Sequence, residues 1–193
     1  MTYGIRRLTS LATVVALLLA LVAVAPAAAA DGATRYKGAE KYALSLLNCT
    51  RTGGWVRADG SCAGRGSGKY SAYRKPLRLH KGISRKVAWP WARALVVNNV
   101  CGHTIAGKPS LSTRMRTSGF RYWSYGENVG CGWGTSDVKA VVLATHRAMQ
   151  AEKAARGGHW KNMKNRSFKS VGIGVAHGSG RTMIVYDFYG KRY

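Results

Sequence analysis

Acids are scarce in this chain. Seven Asp and Glu stand against 31 Lys and Arg, so the placement of each carboxylate is informative. Glu127 lies in Tyr125-Gly126-Glu127-Asn128-Val129-Gly130. Glycines there let another group approach closely, and the neighbouring aromatics predict partial burial. A half-buried glutamate needs a partner, which can be an arginine, a histidine or a metal. Glu152 falls about 40° off an apolar helical stripe that begins at Val138, which turns it towards the core side. The plainer reading of Glu152 is helix-end pairing with Lys153 or Arg156. Of the five histidines, His103 follows Cys101-Gly102, where a disulfide would fix it, and His159 sits between Gly157-Gly158 and Trp160. His80, His146 and His177 have polar or basic neighbours and are expected at the surface. Each of these histidines alone is more often a structural residue than a ligand, and spacing by itself identifies no site among them.

These residues need elements to carry them. Ala39, Tyr42, Ala43, Leu46 and Leu47 recur at helical spacing and predict a helix ending near Asn48. Residues 51–76 are rich in Gly, Ser, Arg and Lys and read as a long irregular loop, of a length that is uncommon in a compact domain unless it is functional. Ser84 is an expected N-cap for a helix to Asn98, kinked or delayed by Pro90. A short basic helix is expected over Ser110 to Thr117, and a strand with turns over Arg121 to Gly132. Ser136-Asp137 caps a helix whose stripe is Val138, Val141, Val142, Thr145 and Met149, and Gly157-Gly158 is expected to end it. Val171, Ile173 and Val175, then Thr182, Ile184, Tyr186 and Phe188, alternate around His177-Gly178-Ser179-Gly180, which is a hairpin. Helices with a late antiparallel sheet make an α+β fold.

The first thirty residues have Arg6 and Arg7, an apolar run from Leu11 to Val24 and small residues from Ala27 to Ala30. That is the pattern of a secretory signal peptide, and residues 31–193 are then expected to be one domain. Export would place Cys49, Cys62, Cys101 and Cys131 where disulfides persist. Of three connectivities, Cys49–Cys62 and Cys101–Cys131 are favoured, because each pair brackets a polar, Gly-containing loop. Closing such a loop contributes roughly 3 kcal/mol in the chain-entropy view. A zinc site built from the cysteines lacks the usual Cys-x-x-Cys or His-x-x-x-His spacing.

Four segments in order then carry a resemblance: Gly126-Glu127-Asn128-Val129, Gly158-His159-Trp160-Lys161-Asn162-Met163-Lys164-Asn165, Val171-Gly172-Ile173-Gly174-Val175 and Asp187-Phe188-Tyr189. From about Ala39 to Tyr189 the chain resembles the CAP superfamily (SCP domain) of cysteine-rich secretory proteins, antigen-five allergens and pathogenesis-related proteins, in an actinobacterial-type form. The resemblance implies a three-layer α-β-α sandwich. It also implies a cleft made by His103, Glu127, Glu152 and His159, with the two histidines as metal ligands, zinc or another divalent cation. Met149 departs from the pattern, which usually has Trp beside the helix glutamate.

The formal charge of +24 gives a long-range attraction for polyanions. Basic residues gather from Arg65 to Arg93, with Tyr70 and Tyr73 among them, and again at Lys161, Lys164, Arg166 and Lys169. The expected function is a secreted or wall-associated, monomeric binding module for anionic envelope polymers or lipid surfaces. The alternative is a zinc-dependent, peptidase-like hydrolase using Glu127 or Glu152. No helix-turn-helix, zinc-finger or RNA-recognition signature is present, so no specific nucleic acid is expected as partner.

Overall fold

A computed structural model describes residues 32–64 and 74–191. The expected signal peptide and the Arg65–Tyr73 part of the basic segment lie outside the described residues. Strand alternation builds the centre. β6 (Ser170–Gly178) and β7 (Arg181–Gly190) form an antiparallel hairpin. Its turn is Ser179-Gly180, with φ of 49° and 68°, the two left-handed residues that a tight type I′ turn needs. β5 (Ser124–Trp133) pairs antiparallel with β7 along its whole length, from Ser124 opposite Gly190 to Trp133 opposite Arg181. On the far side β1 (Thr34–Arg35) pairs antiparallel with β6, and β4 (Arg78–Leu79) runs parallel to it. The order β1-β6-β7-β5 leaves β5 at an edge. A separate ribbon pairs β2 (Trp55–Val56) with β3 (Cys62–Ala63).

Two helical layers cover this sheet, giving the α-β-α sandwich. One layer holds α1 (Lys37–Arg51), α5 (Val138–Ala151) and α6 (Gly158–Lys164). Its Ala43, Leu47, Val142 and Met163 pack on Ile173, Val175, Ile184 and Tyr186. Across the sheet runs a continuous helical stretch: α2 (Lys81–Ile83), a π-helical turn (Ser84–Ala88) and α3 (Trp89–Asn98). There Trp91, Ala92 and Leu95 pack on Ala176, Met183 and Val185. Period-2 alternation sends neighbouring strand residues to opposite layers. Gly174 faces the second layer, and a Cβ there would stand 2.4 Å from the Ala88 carbonyl carbon. Helix and strand therefore touch backbone to backbone. The short α4 (Leu111–Thr117) is capped by Ser110, whose hydroxyl accepts from Thr113 N. Both favoured disulfides are present, Cys49–Cys62 and Cys101–Cys131.

Several sequence expectations need correction. α1 runs to Arg51 instead of ending near Asn48, because tertiary bonds hold its last turn: Lys164 Nζ donates to Thr50 O and Arg51 O, each at 3.0 Å. The 51–76 segment begins with ordered structure, the β2–β3 ribbon tied down by Cys49–Cys62. Ser84 is not an N-cap. His80 takes that place, its Nδ1 accepting from Ile83 N, while Ser84 is buried and its hydroxyl accepts from Ile173 N at 2.8 Å. Pro90 falls inside this continuous stretch, directly after the wider π turn in which Trp89 N donates to Ser84 O, and the changed hydrogen-bond spacing there accommodates a residue that has no N–H. α5 stops at Ala151, and Gly157 instead opens α6 as its N-cap.

His146, expected at the surface, is fully buried. Its position four residues after Val142 puts it on the apolar stripe, which outweighs its polar sequence neighbours. A polar chain receives it. Val56 fixes the Gln150 amide from both sides, Val56 N donating to Oε1 at 2.9 Å and Nε2 donating to Val56 O at 3.0 Å. Thr50 Oγ1 donates to the same Oε1 at 2.9 Å. The hydroxyl has then spent its proton, so His146 Nε2–H is the donor across the 2.8 Å contact to Thr50 Oγ1. Burial lowers the imidazole from 6.5 to about 4. The unfolded chain therefore takes up a proton between those values that the folded chain refuses, and stability falls as pH drops below about 6.5. Denaturant unfolding at pH 7.5 and pH 5 should show about 2 kcal/mol of acid destabilisation from this residue, absent in His146→Gln.

Candidate functional site

β5 is the meeting line of the two helical layers. Glu127, Val129 and Cys131 share one face of the strand, and Val129 and Cys131 pack in the α3 cluster. Gly126, Asn128, Gly130 and Gly132 share the other. Cβ atoms on Gly130 and Gly132 would strike Thr145 and Val141 of α5, so the missing side chains let α5 lie close on the strand. A site at this edge can draw one set of groups from each layer.

The α3 layer brings His103. α3 ends at Asn99 in the left-handed conformation, φ 52°, and the chain turns back so that Cys101 reaches Cys131 of β5. That bridge ends on the same strand face as Glu127. His103 Nδ1 meets Glu127 Oε1 at 2.9 Å. The other oxygen, Oε2, accepts from Arg114 of α4 at 2.7 Å, and the Arg114 guanidinium lies 3.9 Å from the Trp91 ring. The Glu127 side chain is 4% exposed and that of His103 is 55% exposed. Directly across the β5–β7 ladder from Glu127 is the wholly buried Asp187. Burial, then the Glu127 charge, holds the Asp187 carboxyl well above the usual carboxylate range, with Arg114 pulling the other way. The bond to Glu127 raises the His103 imidazole, against the downward pull of burial.

The opposite layer brings His159. Glu152, just past α5, accepts through Oε1 from His159 Nδ1 at 2.5 Å. Its Oε2 accepts from His159 N at 3.0 Å and Trp160 N at 3.4 Å, the first free N–H groups of α6. One carboxylate thus caps the helix and orients the imidazole that the helix carries. Gly157 is what makes room, since a Cβ there would lie 2.3 Å from Glu152 Oε2. Burial alone would raise the Glu152 carboxyl, but the hydrogen bond from His159, its charge and the two backbone donors outweigh it and lower the value.

A pair of asparagines joins the halves. Asn162 of α6 donates from Nδ2 to Glu127 O at 3.1 Å and to Asn128 Oδ1 at 2.9 Å. Asn128 Nδ2 returns a bond to His159 O at 3.1 Å. The result is a hollow of about 300 Å³ lined by His103, Glu127, Glu152, Gly157, Gly158, His159 and Asn162. All four residues singled out in the sequence line it. Arg114, Asp187, and the bridging roles of Asn128 and Asn162, were not foreseen. An arginine gives no local signal among so many bases, and Asp187 is recognisable only once the strand register is known.

A carboxylate only accepts, so each neutral imidazole carries its proton on Nδ1 and leaves the Nε2 lone pair available. That is the usual second-sphere arrangement behind a metal-ligating histidine. His103 and His159 are thus the residues of the hollow that could hold a divalent cation. Among the described residues no group of three or more His, Cys, Asp or Glu side chains is placed to ligate one.

No family model matches this chain, and no curated protein matches it. Solved structures do. A 1.5 Å crystal structure of an extracellular protein containing an SCP domain from Bacillus anthracis str. Ames is similar at a TM-score of 0.59 and 18% identity, over 80% of this chain. This chain spans 41% of the length of that one. The crystal structure of NaASP2 with Zn2+ is similar at a TM-score of 0.53 and 16% identity, over 82% of this chain and 88% of that chain. The fold is the one these structures share.

Imidazole NMR at pH 8.5 should find both His103 and His159 protonated on Nδ1. Gly157→Ala should disturb the His159 signals and leave those of His103 in place. On acidification His103 should titrate above the ordinary 6.5. Because the folded value is raised, its bond adds stability below the unfolded pKa and loses it as pH rises through the folded one.

Proposed function

We propose that this SCP-fold chain is a secreted CAP-superfamily protein, exported by its N-terminal leader. In this reading it is a non-enzymatic binding module, with a His103/His159 cleft for zinc or another divalent cation. Its basic surface would hold it on anionic envelope polymers or lipids. One observation carries the cleft reading: both imidazoles are back-bonded at Nδ1 by a carboxylate, on Glu127 and on Glu152. A bound cation would supply a Lewis-acidic centre with exchangeable water. The chain itself orients the two rings, fixes their tautomers and leaves the hollow open at one side.

Two features favour binding over hydrolysis. Both oxygens of each carboxylate already accept hydrogen bonds, Glu127 from His103 and Arg114, Glu152 from His159 and the α6 backbone. Each carboxylate thereby orients a ring and also neutralises or caps a neighbour, which is the role of an outer-sphere group. Among the described residues, moreover, no Ser, Thr, Cys or Lys side chain lines the hollow that holds both histidines. For the surface, the support is charge: with Arg6 and Arg7 of the leader set aside, 29 of the 31 bases face seven acids, and Glu40, Glu127 and Asp187 are buried.

Calorimetric titration of the oxidised protein with zinc should show one site, lost in His103→Ala and in His159→Ala. Glu152→Gln should weaken it about 10- to 100-fold, the usual effect of removing a second-sphere carboxylate. Affinity should fall on acidification, as protons compete for Nε2. Zinc binding that survives the double His variant would overturn the cleft reading. Peptide hydrolysis lost with EDTA and in His103→Ala would replace it with a hydrolase. Retention on anionic polymer should fall steeply with salt.

A further inference from the structure

Among the described acids Asp187 of β7 stands apart. It is fully buried, and no described donor reaches either of its carboxyl oxygens. The strand register sets its neighbour. Val171 O and Val175 O of β6 accept from His80 N and Tyr36 N, so Gly172 turns its main-chain groups the other way, to Asp187 opposite it on β7. The main chain of Asp187 therefore faces β6 and leaves β5 alone. On the β5 side Glu127 agrees, because its carbonyl is turned outward to Asn162. Asp187 and Glu127 are thus a cross-strand pair without main-chain bonds between them, the kind whose Cα atoms stand closest, at about 4.5 Å. Their side chains meet on one face of the sheet, and of the two only Glu127 lines the hollow.

A buried carboxyl is an anion or a neutral acid, and the surroundings distinguish the two. An anion needs donors. Arg114, the cation that acts on both acids, gives Nη2 to Glu127 at 2.7 Å. Its Nε and Nη1 meet no acceptor, and Trp91 Nε1 beneath it meets none either. Donors are present in this layer, and none is spent on Asp187. A neutral acid needs the opposite, one acceptor for its O–H. Glu127 can supply it. Its Oε1 accepts from His103 and its Oε2 from Arg114, and a carboxylate has about four lone-pair positions. Two carboxyls in contact do not both ionise. The one that holds a guanidinium and an imidazole is the one that keeps the charge.

We infer that Asp187 is a positioning residue of the cleft, whose neutral carboxyl donates to Glu127 and acts through it on the ring of His103. Glu127 is then gripped by three donors from three parts of the chain: β7, α4 and the turn that carries His103. Two grips leave a carboxylate free to pivot about the line that joins them, and the third stops it. The imidazole is held in one plane by an acceptor that is itself fixed. This inference rests on the cation-cleft reading for its purpose, while the contact between the two acids involves no metal.

The test reads the oxidised, metal-free protein at pH 7. Infrared spectra of wild type should show the C=O band of one protonated carboxylic acid, shifted in D2O and missing in Asp187→Asn. Asparagine keeps a neutral donor at the same place, so the His103 Nδ1–H signal should stay as in wild type. Asp187→Leu keeps the bulk without the donor, and its His103 Nδ1–H should exchange with water about tenfold faster or more. The His159 signals, held by Glu152, should stay in place in both variants. No such band in wild type, a His103 signal disturbed by Asp187→Asn as much as by Asp187→Leu, or one disturbed by neither, overturns the inference. Zinc binding separates it from the cleft reading. If zinc does not bind while the band and the His103 effects hold, the cleft reading fails and the contact stands. If zinc binds and the band is absent, only the role of Asp187 fails.

Discussion

The amide clasp between Asn128 and Asn162 is the contact on which the cleft depends. β5 is an edge strand, and an edge presents main-chain groups that must find partners. Asn162 supplies one to Glu127 O and takes hold of Asn128, which in turn holds His159 O. The same bonds that satisfy the edge fix α6 against it. The distance between the two histidine-bearing segments is therefore set by the strand, not by the loops that lead to them. Two layers of a sandwich are kept apart by their sheet everywhere except at such an edge. That is why groups from both layers can face one hollow here.

Charge is distributed with the same economy. A chain with so few acids places three of them, Glu127, Glu152 and Asp187, within or beside one hollow. None serves the general neutralisation of the surface. Glu127 holds an imidazole and a buried guanidinium together, and Glu152 caps a helix while orienting the ring it carries. Elsewhere the protein tolerates a buried cation by turning it on backbone carbonyls, as Arg51 does.

Much of this could be read from residues in order. Period-2 alternation around Ser179-Gly180 gave the hairpin, and the Gly-containing loops between cysteines gave both bridges. Scarcity marks out Glu127 and Glu152, and helical phase turns Glu152 towards the core side. What sequence could not show depends on contacts between distant segments. The start at Lys81 is set by His80 and by Ile173 N reaching Ser84, which no local propensity encodes. His146 has polar sequence neighbours, but its phase on the α5 stripe decides its burial. Arg114 becomes special only because it stacks on Trp91, far from it in α3, and reaches a carboxylate on β5. Gly157 looked like a helix stop and is instead the opening through which Glu152 reaches its partner.

The Cys101–Cys131 bridge ends on the strand face that carries Glu127, and it is what pins the loop bearing His103. The ten residues of β5 are zipped to β7 without its help. A reductant reaching that bond would release one ring nitrogen and leave the scaffold standing. The two halves of the hollow therefore differ in what secures them: the His103 half leans on a covalent bond that thiols can open, and the Glu152–His159 half on hydrogen bonds alone.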